Sequence, residues 1–265
     1  MQLPHPVSRG VLAALTLVAC LGDSISGPAL IGDGTRMLFI GNSHLYVTDV
    51  PGILQALADS AGGERLAVET VANPDYAVID HWLDGIAQRE IAKGGWKYVV
   101  LQQGWTPAGV CRDTLRLATK LFSDDIKKVG ATPALFETWG NQDRPVQFQG
   151  SIESYRLAAE DVGGLLFPIA EAWQEVWRTD ATVSLYSDGL HANLAGSYLT
   201  ALVIYARIFQ KTPVGLPSRL RTRQGMTLDL DPVLGRVLQD AAATIGLAPT
   251  PVTVPTAPVV ITSRC

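Results

Sequence analysis

Three residues of this 265-residue chain have the types and the setting for covalent chemistry: Ser43, Asp188 and His191. Ser43 lies in Met37-Leu38-Phe39-Ile40-Gly41-Asn42-Ser43-His44, where four apolar residues predict a short buried strand and Gly-Asn-Ser ends it in a tight turn. At the carboxyl edge of a parallel sheet such a turn presents a side chain to a crevice, beside helix N-termini that favour negative charge. Alone, the block reads equally well as an ordinary turn. A serine hydroxyl attacks only when a base takes its proton. The chain has four histidines, at positions 5, 44, 81 and 191. His5 sits in an apparent leader, and His44 follows Ser43 directly, so its side chain is expected to point elsewhere. His81, beside Trp82 in a predicted helix, reads as structural. His191 belongs to Tyr186-Ser187-Asp188-Gly189-Leu190-His191-Ala192-Asn193, a loop ahead of a long apolar helix. Asp188 precedes it by three residues, within reach of the imidazole Nδ1 in a turn. That bond would fix the tautomer and stabilise an imidazolium during proton transfer.

The elements that must carry these residues follow from periodicity and punctuation. After the first strand, Leu54, Leu57, Ala58 and Ala61 share one face of a helix from about Val50, closed by Gly62-Gly63. Further strands are expected at Leu66–Val71, Lys97–Gln102, Thr132–Thr138 and Leu165–Ile169. Helices are expected at about Val78–Ala92, Arg112–Val129, Ile152–Val162, Ala170–Arg178 and Asn193–Gln210, with Gly140–Gly150 as a loop. Strands alternating with helices at this spacing predict an α/β protein, with a parallel sheet of about five strands covered on both sides. From about Thr212 the chain reads as irregular, with a last helix near Asp231–Ile245. Residues 248–259, rich in Pro, Thr and Val, read as an extended tail.

The pairing of the two blocks resembles the SGNH, or GDSL-like, hydrolase superfamily. There a serine follows the first strand in Gly-Asp-Ser, and Asp-x-x-His stands before the last helix. Gly41-Asn42-Ser43 matches the first block with Asn for Asp, and Asp188-Gly189-Leu190-His191 matches the last. The likeness spans about residues 36–210. It implies a three-layer α/β/α, flavodoxin-like fold and an ester hydrolase without metal or organic cofactor. In it Ser43 is the nucleophile, His191 the base and Asp188 its orienter. Gly22-Asp23-Ser24 is a closer literal match but has no strand before it and falls in a tether. The middle blocks depart from the pattern. The superfamily draws oxyanion donors from the serine N–H, a glycine after the second strand and an asparagine after the third. Here the second turn is Asn73-Pro74-Asp75-Tyr76, and the third strand ends in Leu101-Gln102-Gln103-Gly104-Trp105. Proline cannot donate, so the expected donors are Ser43 N–H, Asp75 N–H and the Gln103 amide. Gln103 is preferred to Gln102 because it lies further out. Trp105, Glu137, Trp139 and Asn141 share the same sheet edge. The rings could stack on a sugar or line an acyl pocket, and equally could cap the core.

The remaining features bound the setting. Arg9 followed by Val11–Cys20 has the layout of an export signal, and Leu17-Val18-Ala19-Cys20 resembles a bacterial lipobox, so a lipid on Cys20 would attach the chain to a membrane. The expected organisation is a leader at 1–20, a tether at 21–35, a hydrolase-like domain at 36–212 and a C-terminal extension at 213–265. In an oxidising compartment Cys111 and Cys265 can pair, or both can stay free. Cys111 as a nucleophile lacks a neighbouring histidine. A net charge of −4 gives no basic face for nucleic acid. No zinc spacing, phosphate loop or dinucleotide fingerprint is present. The expected substrate is a small or carbohydrate ester, with short acyl groups such as acetyl favoured. An acyltransferase using the same residues, or a surface binding protein that has lost catalysis, are the rival readings.

Overall fold

In a computed structural model of the chain the described residues are 1, 34–63, 65–104 and 111–250. The leader with Cys20, Gly22-Asp23-Ser24, nearly all of the tether, Trp105, and the tail with Cys265 lie outside them. Strand β1 (Thr35–Gly41) runs into a one-turn helix α1 (Ser43–Tyr46), then α2 (Val50–Ser60), β2 (Leu66–Ala72), α3 (Val78–Asp84) and α4 (Ile86–Ala92). There follow β3 (Tyr98–Leu101), α5 (Arg112–Lys128), β4 (Thr132–Phe136), α6 (Val146–Val162), β5 (Leu165–Phe167), α7 (Ile169–Thr179) and α8 (Leu194–Phe209). A short hairpin, β6 (Arg219–Arg221) and β7 (Thr227–Asp229), and helix α9 (Pro232–Gly246) complete the described chain.

The five-stranded sheet has the order β2-β1-β3-β4-β5, and every pairing in it is parallel. Alternation along β1 explains why its apolar run is unbroken. Met37 and Phe39 enter one core with residues of α2, α7, α8 and α9, while Leu38 and Ile40 enter the other with residues of α3, α4 and α5. All four are fully buried, each contributing about 1.5–3 kcal/mol of apolar burial. A sheet covered on both faces needs such strands. Strand order reverses direction at β1 and β3, so the loops leaving them part and open a crevice at the carboxyl edge. Gly41-Asn42-Ser43 leaves β1 there, and Gln102-Gln103 leaves β3.

Three expectations about elements need correction. The helix expected over 78–92 is broken at Gly85, whose φ of 72° is left-handed, a conformation that glycine adopts without strain. The loop expected over 140–150 ends early, because α6 starts at Val146. Its first turns carry Gln147 and Ser151, which are buried and bonded to Asn141 N–H and the Thr138 carbonyl rather than solvated. The region after 212 is more ordered than expected: α9 buries Leu238, Ala241 and Ala242 in the main core with α8, and the hairpin precedes it. No helix among the described residues is long and apolar enough to cross a membrane.

Candidate active site

The Ser43 turn is held from three elements. Asn42 caps α1, its side chain accepting from His44 N–H. The Gly41 carbonyl accepts from Asn73 N–H at 3.1 Å, and from His81 Nε2–H of α3 at 2.8 Å. His81 is fully buried and serves the backbone, as its sequence setting predicts. Gln102, at the end of β3, grips the same turn twice. Its Oε1 accepts from Asn42 N–H at 2.8 Å, and its Nε2 donates to Asn42 Oδ1 at 3.1 Å. The grip requires glycine at 41, since a Cβ there would stand 2.2 Å from Gln102 Oε1. Asn42 Nδ2 donates to the Tyr76 carbonyl at 2.9 Å, tying in the turn after β2.

Residues 43 and 191 meet at the carboxyl edge. Ser43 Oγ lies 2.8 Å from His191 Nε2, and His191 Nδ1 lies 2.7 Å from Asp188 Oδ2. Asp188 Oδ1 accepts from Leu190 N–H and His191 N–H at 2.9 and 2.7 Å, which closes the loop on itself. Hydrogen bonds from the His191 ring and backbone hold the Asp188 carboxyl at about 2, below its ordinary value. An ionised carboxylate only accepts, so Nδ1 carries the proton. Nε2 of the neutral ring is then the acceptor, and Ser43 Oγ–H donates to it. Asn193 caps α8 through Gly196 N–H, so the loop passes directly into the helix. Gly196 permits this, because a Cβ there would meet the Leu185 carbonyl at 2.5 Å.

Of the expected oxyanion donors, Ser43 N–H and Asp75 N–H have no hydrogen-bond partner among the described residues. Asp75 is left-handed, with φ of 58°. Gln102 spends its carboxamide on the Ser43 turn and on the Gln103 carbonyl. Gln103 directs its carboxamide oxygen to Val78 N–H at 3.1 Å. Cys111 is disulfide-bonded, which removes it as a nucleophile.

The residues past β4 divide. Trp139 is buried, stacked on Trp173 at 4.2 Å, and donates from Nε1 to the Leu190 carbonyl at 2.9 Å. It is a core ring that anchors the loop of Asp188 and His191, and offers no open face to a sugar. Asn141 N–H bonds Gln147. Glu137 turns away, accepting from Ala170 N–H at 3.1 Å and facing Glu171, with Arg156 and Arg207 nearby. Burial first, then the Glu171 charge, raises the Glu137 carboxyl well above its ordinary value. A carboxyl whose value is raised by folding stabilises the fold at acid pH, and that stability is lost as pH rises towards the raised value. Glu137→Gln keeps an acceptor for Ala170 N–H and carries no charge at any pH. Its melting temperature is expected to match wild type near pH 4 and to exceed it at pH 8, by about 2–4 °C for each kcal/mol recovered. A gap that does not change with pH would show that Glu137 is not protonated in the fold.

An aromatic cavity of about 480 Å³ adjoins the histidine loop, lined by Phe148, Trp177 and Tyr186 with Gln142, Thr182 and Ser184 among the polar residues. Gln142 N–H donates to the Gly189 carbonyl at 2.9 Å, so the cavity wall and the loop are joined.

No protein-family model matches the sequence, and no curated protein matches it. Solved structures do. A protein from Slackia heliotrinireducens described as an SGNH hydrolase is 25% identical, with a TM-score of 0.55 over 65% of this chain and 97% of its own. The fold is that of the SGNH, or GDSL-like, hydrolases. The lipase/acylhydrolase from Enterococcus faecalis shares it at 15% identity and a TM-score of 0.54, over 72% of this chain and all of its own. A GDSL-like lipase from Parabacteroides merdae does so at 13% and 0.51, over 64% and 93%.

Proposed function

We propose that this SGNH-fold chain is an exported serine esterase acting on carboxylic esters, with Ser43, His191 and Asp188 as its triad. The observation that carries this reading is the continuous run from Ser43 Oγ to His191 Nε2, and from His191 Nδ1 to Asp188 Oδ2, at 2.8 and 2.7 Å. Ser43 Oγ attacks the ester carbonyl while its proton passes to His191 Nε2. The tetrahedral intermediate collapses, the carbon–oxygen bond to the alcohol breaks, and His191 returns the proton to the leaving oxygen. Water then attacks the acyl-enzyme, gives a proton to His191, and the acid departs as Ser43 Oγ takes that proton back. Asp188 keeps the imidazole in the accepting tautomer throughout. Ser43 N–H, Asp75 N–H and the Gln103 amide are the proposed donors to the oxyanion. Export is part of the reading on the leader sequence alone.

The proposed substrates carry short acyl groups, such as acetyl, on carbohydrate. A cavity of about 480 Å³ is in the range of small-molecule sites, and its mixture of rings and polar groups suits a sugar. The deciding experiment is covalent labelling of the mature protein with a fluorophosphonate. The adduct is expected on Ser43 in wild type and absent in His191→Ala. A folded wild-type protein that takes no label would overturn the esterase reading and leave a binding protein on this fold.

A further inference from the structure

The residue directly after the nucleophile has no part in the triad, yet it is built into the site. His44 is 5% exposed. Its Nδ1 lies 3.1 Å from Asn42 Oδ1, and its ring packs between two partners, with centroids 5.4 Å from His191 and 5.2 Å from Trp139. Asn42 Nδ2 already donates to Tyr76, and Asn42 Oδ1 also takes His44 N–H and Gln102 Nε2–H. Oδ1 is therefore an acceptor, His44 Nδ1 must carry the proton, and Nε2 bears a lone pair. That Nε2 is buried without a partner. A buried unpaired polar atom costs about 1–3 kcal/mol, so the histidine is a poor choice for a purely structural filler.

The contacts make a second route between the Ser43 turn and the histidine loop. It runs from Gln102 to Asn42, from Asn42 to His44, and from His44 to the tilted ring of His191. Trp139 completes it by packing on His44 and bonding the Leu190 carbonyl. The first route is the Ser43–His191 hydrogen bond itself. That bond is absent for half of the cycle, because acylated Ser43 Oγ has no proton to donate. During that half the half-buried His191 ring keeps its hydrogen bond from Nδ1 to Asp188, whose own side chain is 54% exposed, and the packing of His44 against it.

We propose that His44 is a positioning residue that keeps the His191 imidazole in place while Ser43 is acylated, so that it acts chiefly on deacylation. The inference rests on the triad reading above. The charge state fits it: burial, and then the neighbouring His191, lower the His44 value to about 3, against the opposing pull of Asp188. His44 thus stays neutral at working pH and does not oppose the imidazolium forming 5.4 Å away.

Two variants separate the ring from its hydrogen bond. His44→Asn keeps a donor for Asn42 Oδ1 and deletes the ring against His191. His44→Phe keeps a ring and deletes the donor, while Asn42 Oδ1 retains two others. Each is followed in rapid mixing with a chromogenic acetyl ester, and separately by its rate of fluorophosphonate labelling. In His44→Asn, steady-state kcat is expected to fall at least 10-fold while labelling slows no more than about 3-fold, so acyl-enzyme accumulates and a burst of one alcohol per site appears or grows. His44→Phe is expected to recover most of the lost deacylation rate. A merely structural role would lower the active fraction, cutting kcat and labelling amplitude together with no change in burst per labelled site; that result overturns the proposal. So does an Asn variant with unchanged kcat, or a Phe variant as slow as the Asn variant. A wild-type protein that is folded but unlabelled at Ser43 would overturn the triad reading and this proposal with it, whereas a labelled wild type with unaffected His44 variants overturns this proposal alone.

Discussion

Ser43→Ala is expected to lower ester turnover by about 10⁴- to 10⁶-fold and to leave the fold intact. The magnitude follows from what triad nucleophiles contribute: without one, what remains comes from binding and oxyanion donors. The selectivity follows from the local contacts. Among the described residues the Ser43 side chain makes one hydrogen bond, to His191. The turn that carries it is held by other groups, with Gln102 on Asn42 N–H and Oδ1, and with Asn73 N–H and His81 Nε2–H on the Gly41 carbonyl. Alanine at 43 disturbs none of these, and its backbone N–H still heads α1. Turnover of a chromogenic acetyl ester and a thermal melt on the same sample check both halves. Residual activity above about a tenth of wild type, in a protein that melts normally, would mean that another group attacks the carbonyl. Cys111 is not that group, since it is disulfide-bonded.

The parts of the site that could be read from the sequence are those whose signal is local. Met37–Ile40 is an unbroken apolar run because β1 is buried on both faces, and that run ends where the sheet ends. Asp188 and His191 are three residues apart in a loop that hydrogen-bonds to itself, so their pairing needs no information from elsewhere in the chain. The grip of Gln102 on Asn42 is different. It joins residues 60 apart, and a glutamine at a strand end carries no mark of its partner. The same holds for His44: adjacency to Ser43 suggests a side chain that points away from the site, whereas its ring packs against His191, 147 residues later.

Burial of polar residues explains why α6 starts earlier than the sequence pattern suggests. Gln147, Ser151 and Glu153 make the start of α6 look solvated, yet all three are buried. Apolar residues on both sides of Gly85 conceal the break between α3 and α4, because α3 and α4 both feed the same core. Trp139, placed at the correct sheet edge by its position after β4, could be a platform or a core ring on sequence grounds. Its stacking on Trp173 and its bond to the Leu190 carbonyl decide for the core.

Asp188→Asn is expected to cost about 10⁴-fold in kcat/KM, with little loss of stability. The argument is about tautomers rather than charge alone. Asp188 Oδ1 accepts two backbone N–H groups, from Leu190 and His191, and Oδ2 accepts from His191 Nδ1. An asparagine in this place must keep its carbonyl oxygen on the two backbone donors, because the loop offers them no other acceptor. Its NH₂ group then faces Nδ1, and the imidazole answers by moving its proton to Nε2. In that tautomer Nε2 cannot take the Ser43 proton, although every heavy atom stays close to its wild-type position. The side chain of Asp188 is 54% exposed, so the substitution buries no new polar group and the melt should shift little. Since the wild-type carboxyl sits near 2, acid above about pH 3 does not reproduce the variant. Steady-state kinetics give the size of the loss, and ¹⁵N shifts of the His191 ring report which nitrogen carries the proton. A variant within 10-fold of wild type, or one whose Nδ1 remains protonated, would show that Asp188 does not set the tautomer on which proton transfer from Ser43 depends.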